Sequence, residues 1–178
     1  MSNHLYSFNG DLRKQQSGGA IGNILTASLA VMNMIRWKRE FTEKAVEAMD
    51  ELEDVGIYKS KFYIDDGNHM SEALPLGARL DDDDKIRIHE ECVEADRDIP
   101  DDQRTAELFG QIANNVSSFV KVTVDYPSKN VTQWMPLLDL QVQSKDNQIM
   151  YKFYKKPVSN PKVMLEKSAM PRKVKRNS

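Results

Sequence analysis

Lys61-Phe62-Tyr63-Ile64-Asp65-Asp66-Gly67 places two adjacent acids and a glycine at the end of an aromatic and β-branched run. Such a run favours a strand, and Asp-Gly at its end favours a tight two-residue hairpin turn. Carboxylates crowded at a hairpin tip repel each other unless a cation neutralises them. Hard oxygen ligands on a rigid turn suit magnesium, and magnesium suits phosphate chemistry. The rival reading of so short a motif is a plain turn with both acids in water. The elements around it must decide.

Upstream lies Gln15-Gln16-Ser17-Gly18-Gly19-Ala20-Ile21-Gly22-Asn23-Ile24-Leu25-Thr26. Its glycines permit positive φ and close approach of a backbone or a planar ligand. A helix is expected from Ile24 to about Phe41, or on to Leu52, with Thr26 or Asn23 as its cap and Gly56 beyond its end. Ile24, Leu25, Ala27, Ala30, Val31, Met34 and Ile35 form a broad apolar face at helical spacing. A strand over Lys59 to Ile64 follows. A second hairpin arm is expected after Gly67, drawing on Leu74, Leu76 and Leu80.

In this order the segments resemble the palm of a reverse transcriptase, the RNA-directed DNA polymerase of retroelements. Gln15, Gly18, Gly22, Leu25 and Thr26 fit the family's nucleotide-pocket motif. Tyr63, Asp65 and Asp66 fit its catalytic hairpin, aromatic–any–Asp–Asp. Met135-Pro136-Leu137-Leu138-Asp139-Leu140 and Phe153-Tyr154-Lys155-Lys156-Pro157 are similar to two stretches that follow that hairpin in many retroelement polymerases.

The resemblance implies two-metal nucleotidyl transfer to a primer 3′ hydroxyl. Asp65 and Asp66 would be the catalytic, metal-binding pair, with two Mg2+ ions as cofactor. Tyr63 would contact the primer terminus or the incoming nucleotide, Gly18 and Gly22 would admit the template base pair, and Gln15 would bond the template side. The implied partners are an RNA template, a DNA primer and deoxynucleotide triphosphates.

There are departures from the pattern. The family's palm carries another metal-binding aspartate, on a strand upstream of the Gly-rich loop. Here only Asp11 precedes that loop, in Phe8-Asn9-Gly10-Asp11-Leu12, without an apolar strand around it. Ser17-Gly18-Gly19-Ala20 also lacks the loop's common proline. The expectation is therefore the C-terminal half of a palm, inactive or nearly so by itself. The alternatives are a non-catalytic nucleic-acid-binding remnant and a protein-interaction module.

The expected fold class is α+β. Residues 1–126 would form a partial palm, an antiparallel sheet with two helices, with an acidic insertion at 81–104. Residues 127–160 would form a primer-grip-like β-hairpin, and 161–178 a basic tail without order. The charge supports this division. Asp81 to Glu107 holds twelve acids and four bases, whereas Lys145 to Ser178 holds ten bases and two acids, although the chain as a whole is only −2.

Asp81-Asp82-Asp83-Asp84 reads as a solvated loop, since four consecutive acids cannot all face one ion. His89 lacks a second His at helical spacing, which excludes a zinc-hydrolase motif. Thr105 is expected to cap a second helix running to Phe119, with Leu108, Phe109, Ile112, Ala113 and Val116 on one face. Strands are expected over Phe119 to Tyr126, Leu137 to Gln143 and Ile149 to Tyr154. Asp139 would lie inside the second of these as a paired structural carboxylate. Lys152, Lys155 and Lys156 either meet a phosphate backbone or form a solvated strand face.

Cys92 is the single cysteine, so no internal disulfide forms and no Cys-rich zinc site is available. The polar start of the chain shows no signal pattern, and Ile21 to Ile35 is too short and too polar to span a bilayer. An intracellular protein, cytoplasmic or nuclear, is expected.

Overall fold

The computed structural model describes residues 5–15, 24–52, 55–63, 66–145 and 148–154. The class is α+β: three α-helices and four small antiparallel sheets among these residues. Among these residues, three two-stranded sheets stand where a single palm sheet was expected, and a three-stranded sheet where a C-terminal β-hairpin was expected. The chain divides into two compact units, Met1–Lys129 and Asn130–Ser178.

The first unit opens with β1 (Leu5–Phe8) and β2 (Asp11–Lys14), paired antiparallel. Asn9 (φ 53°) and Gly10 (φ 88°) both adopt the left-handed region, as a two-residue hairpin turn of this twist requires. Asp11 thus stands on a strand, opposite Phe8 and 3.9 Å from Arg13.

Helix α1 runs Ile24–Ala48, longer than Phe41 and ending well before Gly56. Thr26 lies inside it and caps nothing; Asn23 falls outside the described residues. The expected apolar face is largely in solvent: Leu25 is 69% and Ile35 64% exposed. The buried stripe is Trp37, Phe41, Ala45 and Ala48, one helical turn apart, with Met49 just past the end. Between 24 and 35 the helix carries no charge to mark a solvent side. From Arg36 onward the pairs Arg36–Glu40 and Arg39–Glu43 mark one.

Next come β3 (Ile57–Tyr63) and β4 (Asp66–Ser71), then β5 (Ala78–Leu80) and β6 (Ile86–Ile88), each pair a hairpin. Helices α2 (Glu90–Asp96) and α3 (Asp101–Asn115) close the unit. Pro100 precedes α3, which starts four residues before Thr105. Thr105 is buried in the helix interior, where its hydroxyl accepts the Leu74 N–H at 3.0 Å. Leu74, Ala78, Ile86, Leu108, Phe109, Ile112 and Ala113 join the α1 stripe in one core.

The expected strand over Phe119 to Tyr126 does not form. Phe119 is almost fully exposed, and the Asn114 side chain takes the place of a ladder. Its Oδ1 accepts the Val122 N–H at 2.8 Å and its Nδ2 donates to the Val122 carbonyl at 3.0 Å. Both backbone groups of Val122 are thus satisfied without a neighbouring strand. Val124 packs on Gly110 so closely that a Cβ there would lie 2.9 Å from Val124 Cγ1.

The second unit is a three-stranded meander of β7 (Met135–Leu137), β8 (Leu140–Lys145) and β9 (Gln148–Phe153), in that order. The expected strand over Leu137 to Gln143 is broken by a two-residue turn at Leu138 (φ 54°) and Asp139. Asp139 is therefore an exposed turn residue whose carbonyl accepts the Tyr154 N–H at 2.8 Å, not a carboxylate inside a strand. Strand alternation puts Met135, Leu137, Leu140, Val142, Ile149, Tyr151 and Phe153 on one face, and Gln141, Gln143, Lys145 and Lys152 on the other.

Candidate metal and nucleotide site

The β3–β4 hairpin is held from below by aromatic rings. Ser60 and Phe62 on β3 face the same side as their cross-strand partners His69 and Gly67 on β4. Phe62 meets Trp37 edge-on at 5.7 Å and Phe41 at 6.0 Å, while Trp37 and Phe41 stack on each other at 5.4 Å. A Cβ at Gly67 would come within 2.7 Å of Phe62 Cε1. Glycine here lets the Phe62 ring lie across the neighbouring strand.

The ladder closes on Tyr63↔Asp66 with Phe62↔Gly67 behind it. The sequence reading put the turn at Asp66-Gly67. The register instead makes both of them the start of β4 and leaves two residues, 64 and 65, between the arms. The return arm accordingly begins at Asp66 rather than after Gly67, and Leu74 and Leu80 lie outside it. The shift follows from packing. Phe62 reaches the aromatic cluster only with Gly67 opposite, and a turn at Asp66-Gly67 would remove that pair.

Asp66 sits on the hairpin face away from the aromatic cluster, exposed, and among the described residues nothing forms a hydrogen bond or ion pair with its carboxylate. Its side chain is a free hard-oxygen donor, chemistry that fits a magnesium ligand in kind. Asp65, Gly18 and Gly22 lie outside the described residues. Gln15, half-buried, directly follows β2. No group of three or more His, Cys, Asp or Glu side chains that could hold a metal ion occurs among the described residues, which exclude Asp65.

In the second unit, Lys152 lies with its Nζ 4.0 Å from the centroid of the Trp134 ring, a cation–π contact. Lys155 and Lys156 lie outside the described residues.

The run Asp81-Asp82-Asp83-Asp84 is a loop with Asp82 and Asp83 exposed, as expected, but Asp81, Asp83 and Asp84 are ion-paired rather than merely solvated. Asp81 N–H donates to the Lys85 carbonyl and Asp84 N–H to the Asp81 carbonyl, so the four acids form the turn between β5 and β6. Asp84, at φ 61°, bonds Lys44 of α1 at 2.8 Å and Asn115 of α3 at 2.9 Å. Arg87 bridges Asp81, Asp83 and Glu51, and His89 bonds Asp81 and Glu91. These bonds hold the three aspartate carboxyls below their ordinary pKa and raise that of His89. The protein's own cations thus occupy three of the four acids, Asp81, Asp83 and Asp84.

Sequence reasoning counted Asp96 only as one charge among many, whereas it is almost fully buried. Arg79 forms a bidentate pair with it at 2.8 and 2.9 Å, and the Gly77 N–H donates to it at 2.8 Å. Chiefly the Arg79 bond draws its pKa down to about 2. A signal was present: Asp96 shares a helical stripe with Cys92 and Val93, where an acid must find a partner. Gly77 (φ 79°) allows the pairing, since a Cβ there would lie 2.6 Å from the His89 carbonyl oxygen.

No helix among the described residues is long and apolar enough to cross a membrane. No protein-family model matches the chain, and neither a curated protein nor a solved structure matches it.

Proposed function

We propose that this chain is part of a retroelement reverse-transcriptase palm, with Asp65 and Asp66 as its metal-binding pair. The observation that carries the reading is an order of parts. In sequence order the Gly-rich segment Gln15 to Gly22 precedes a long helix, and the hairpin packed on that helix closes on the pair Tyr63↔Asp66, between which Asp65 falls in the sequence.

When bound, magnesium would supply charge stabilisation to the attacking and leaving oxygens of a phosphoryl transfer. The chain's own residues divide the remaining work. Asp65 and Asp66 would hold the ions, and Phe62 and His69 fix the hairpin that carries those acids. Gln15, Gly18, Gly22 and Tyr63 would line the nucleotide and template side. Lys152, with Lys155 and Lys156, would meet the primer–template backbone.

The family's further aspartate has no counterpart in a well-placed residue here. Asp11, the one acid ahead of the Gly-rich loop, is exposed on β2 beside Arg13. The 178-residue chain by itself is expected to show no primer extension, because losing one such ligand costs several kcal/mol in the barrier, roughly a thousandfold or more in rate.

Two measurements test the reading: magnesium-dependent extension of a DNA primer on an RNA template, and calorimetric titration with magnesium alone. The expected result is no extension, with a magnesium response that Asp65→Asn abolishes. Extension that survives Asp65→Asn, or a magnesium response identical in both folded proteins, would overturn it.

A further inference from the structure

His69 lies where the acidic hairpin meets two helices. Its ring centroid is 4.2 Å from that of Phe109 on α3 and 5.8 Å from that of Phe41 on α1. Nδ1 is 2.8 Å from the hydroxyl of Ser60, its cross-strand partner. Nε2 is sealed from solvent and has no hydrogen-bond partner among the described residues.

A neutral imidazole can live there, since a serine hydroxyl either donates to Nδ1 or accepts from it. An imidazolium cannot do so cheaply. It carries an N–H on both nitrogens and a full charge, and at Nε2 it would meet neither acceptor nor water.

Among the described residues no acid compensates. Lys59 and Lys61 on β3 and Asp66 on β4 alternate to the opposite face of the hairpin. On α1, Lys38 lies over the Phe62 ring at 5.5 Å and Lys44 is paired with Asp84. On α3, Asp101 bonds Arg104, Asp102 accepts the Ser128 N–H, and Glu107 bonds Gln103. Burial alone accordingly moves the pKa of His69, and moves it down.

We propose that His69 is a positioning residue that docks the Asp65–Asp66 hairpin on α1 and α3 as the neutral imidazole, and that its protonation releases the hairpin. The consequence for metal binding rests on the polymerase reading; the docking does not.

The sign follows from linkage. A folded-state pKa below the ordinary 6.5 means that the docking stability of His69 is fully present above that pH. It is lost as pH falls through the lower, folded value.

The test is a pH titration of the full chain by NMR of its imidazoles. The three histidines are His4, His69 and His89. His69 should titrate below 6.5 and His89, bonded to Asp81 and Glu91, above it. In parallel, Trp37 fluorescence in a Trp134→Phe background should change with the His69 midpoint, because Trp37 touches Phe62 of the hairpin. His69→Gln should remove that change between about pH 7.5 and 5.

A His69 midpoint at or above 6.5, or a Trp37 transition unchanged in His69→Gln, would overturn the proposal. If His69→Gln fails to fold, the NMR midpoint in the native chain decides. If His69 behaves as expected while Asp65→Asn leaves the magnesium response intact, the docking role stands and the metal reading falls.

Discussion

Asp96 shows how a single buried charge is tolerated. It loses hydration but gains two hydrogen bonds from Arg79 and one from the Gly77 N–H, so its carboxylate remains ionised. Asp96→Ala leaves the Gly77 N–H without its acceptor and Arg79 with the Ala78 carbonyl but without this carboxylate, and is expected to cost roughly 2–4 kcal/mol, measured by urea unfolding at neutral pH. The folded pKa of about 2 lies below the ordinary 3.8, so the stabilisation is complete above 3.8 and disappears as pH falls through 2. Asp96→Asn should flatten that acid limb in a pH series. Little of this pairing was legible locally, since Arg79 lies seventeen residues from Asp96. The apolar neighbours Cys92 and Val93 on the same helical stripe were the one local sign that Asp96 turns inward.

Elements were read best where the signal was local. The helix from Ile24, the strand ahead of Asp65 and the later helix through Phe109 all exist, with shifted ends. Two strand expectations failed for opposite reasons. Leu138 takes a positive φ that apolar alternation did not foretell, and splits one strand into two. Residues 120–126 alternate as a strand should, yet a side chain rather than a strand satisfies Val122. Asn114→Ala removes both bonds at once. It should destabilise the fold by about 1–3 kcal/mol in denaturant unfolding, with faster hydrogen exchange at the Val122 amide. Asn114→Asp keeps only the acceptor and should recover part of that loss.

For the whole molecule, the acidic stretch is structure rather than insertion. Residues 81–104 supply Ile86 and Asp96 to the interior of the first unit and join α1 to α3 through Asp84. Deleting Asp81 to Arg104 should therefore abolish a cooperative thermal transition followed by circular dichroism. A detachable module would leave that transition in place. Composition and periodicity alone determined the α+β class, the long helix, the strand ahead of the paired acids and the polarised charge, because these depend on neighbours a few residues apart. The tertiary structure decided the rest: which half of α1 is buried, that Asp66 and Gly67 belong to a strand, and that the aspartate run is cross-linked by the protein's own cations. Each of those outcomes depends on contacts between residues far apart in the chain, such as Phe62 with Trp37 or Lys44 with Asp84, and local spacing carries no record of them.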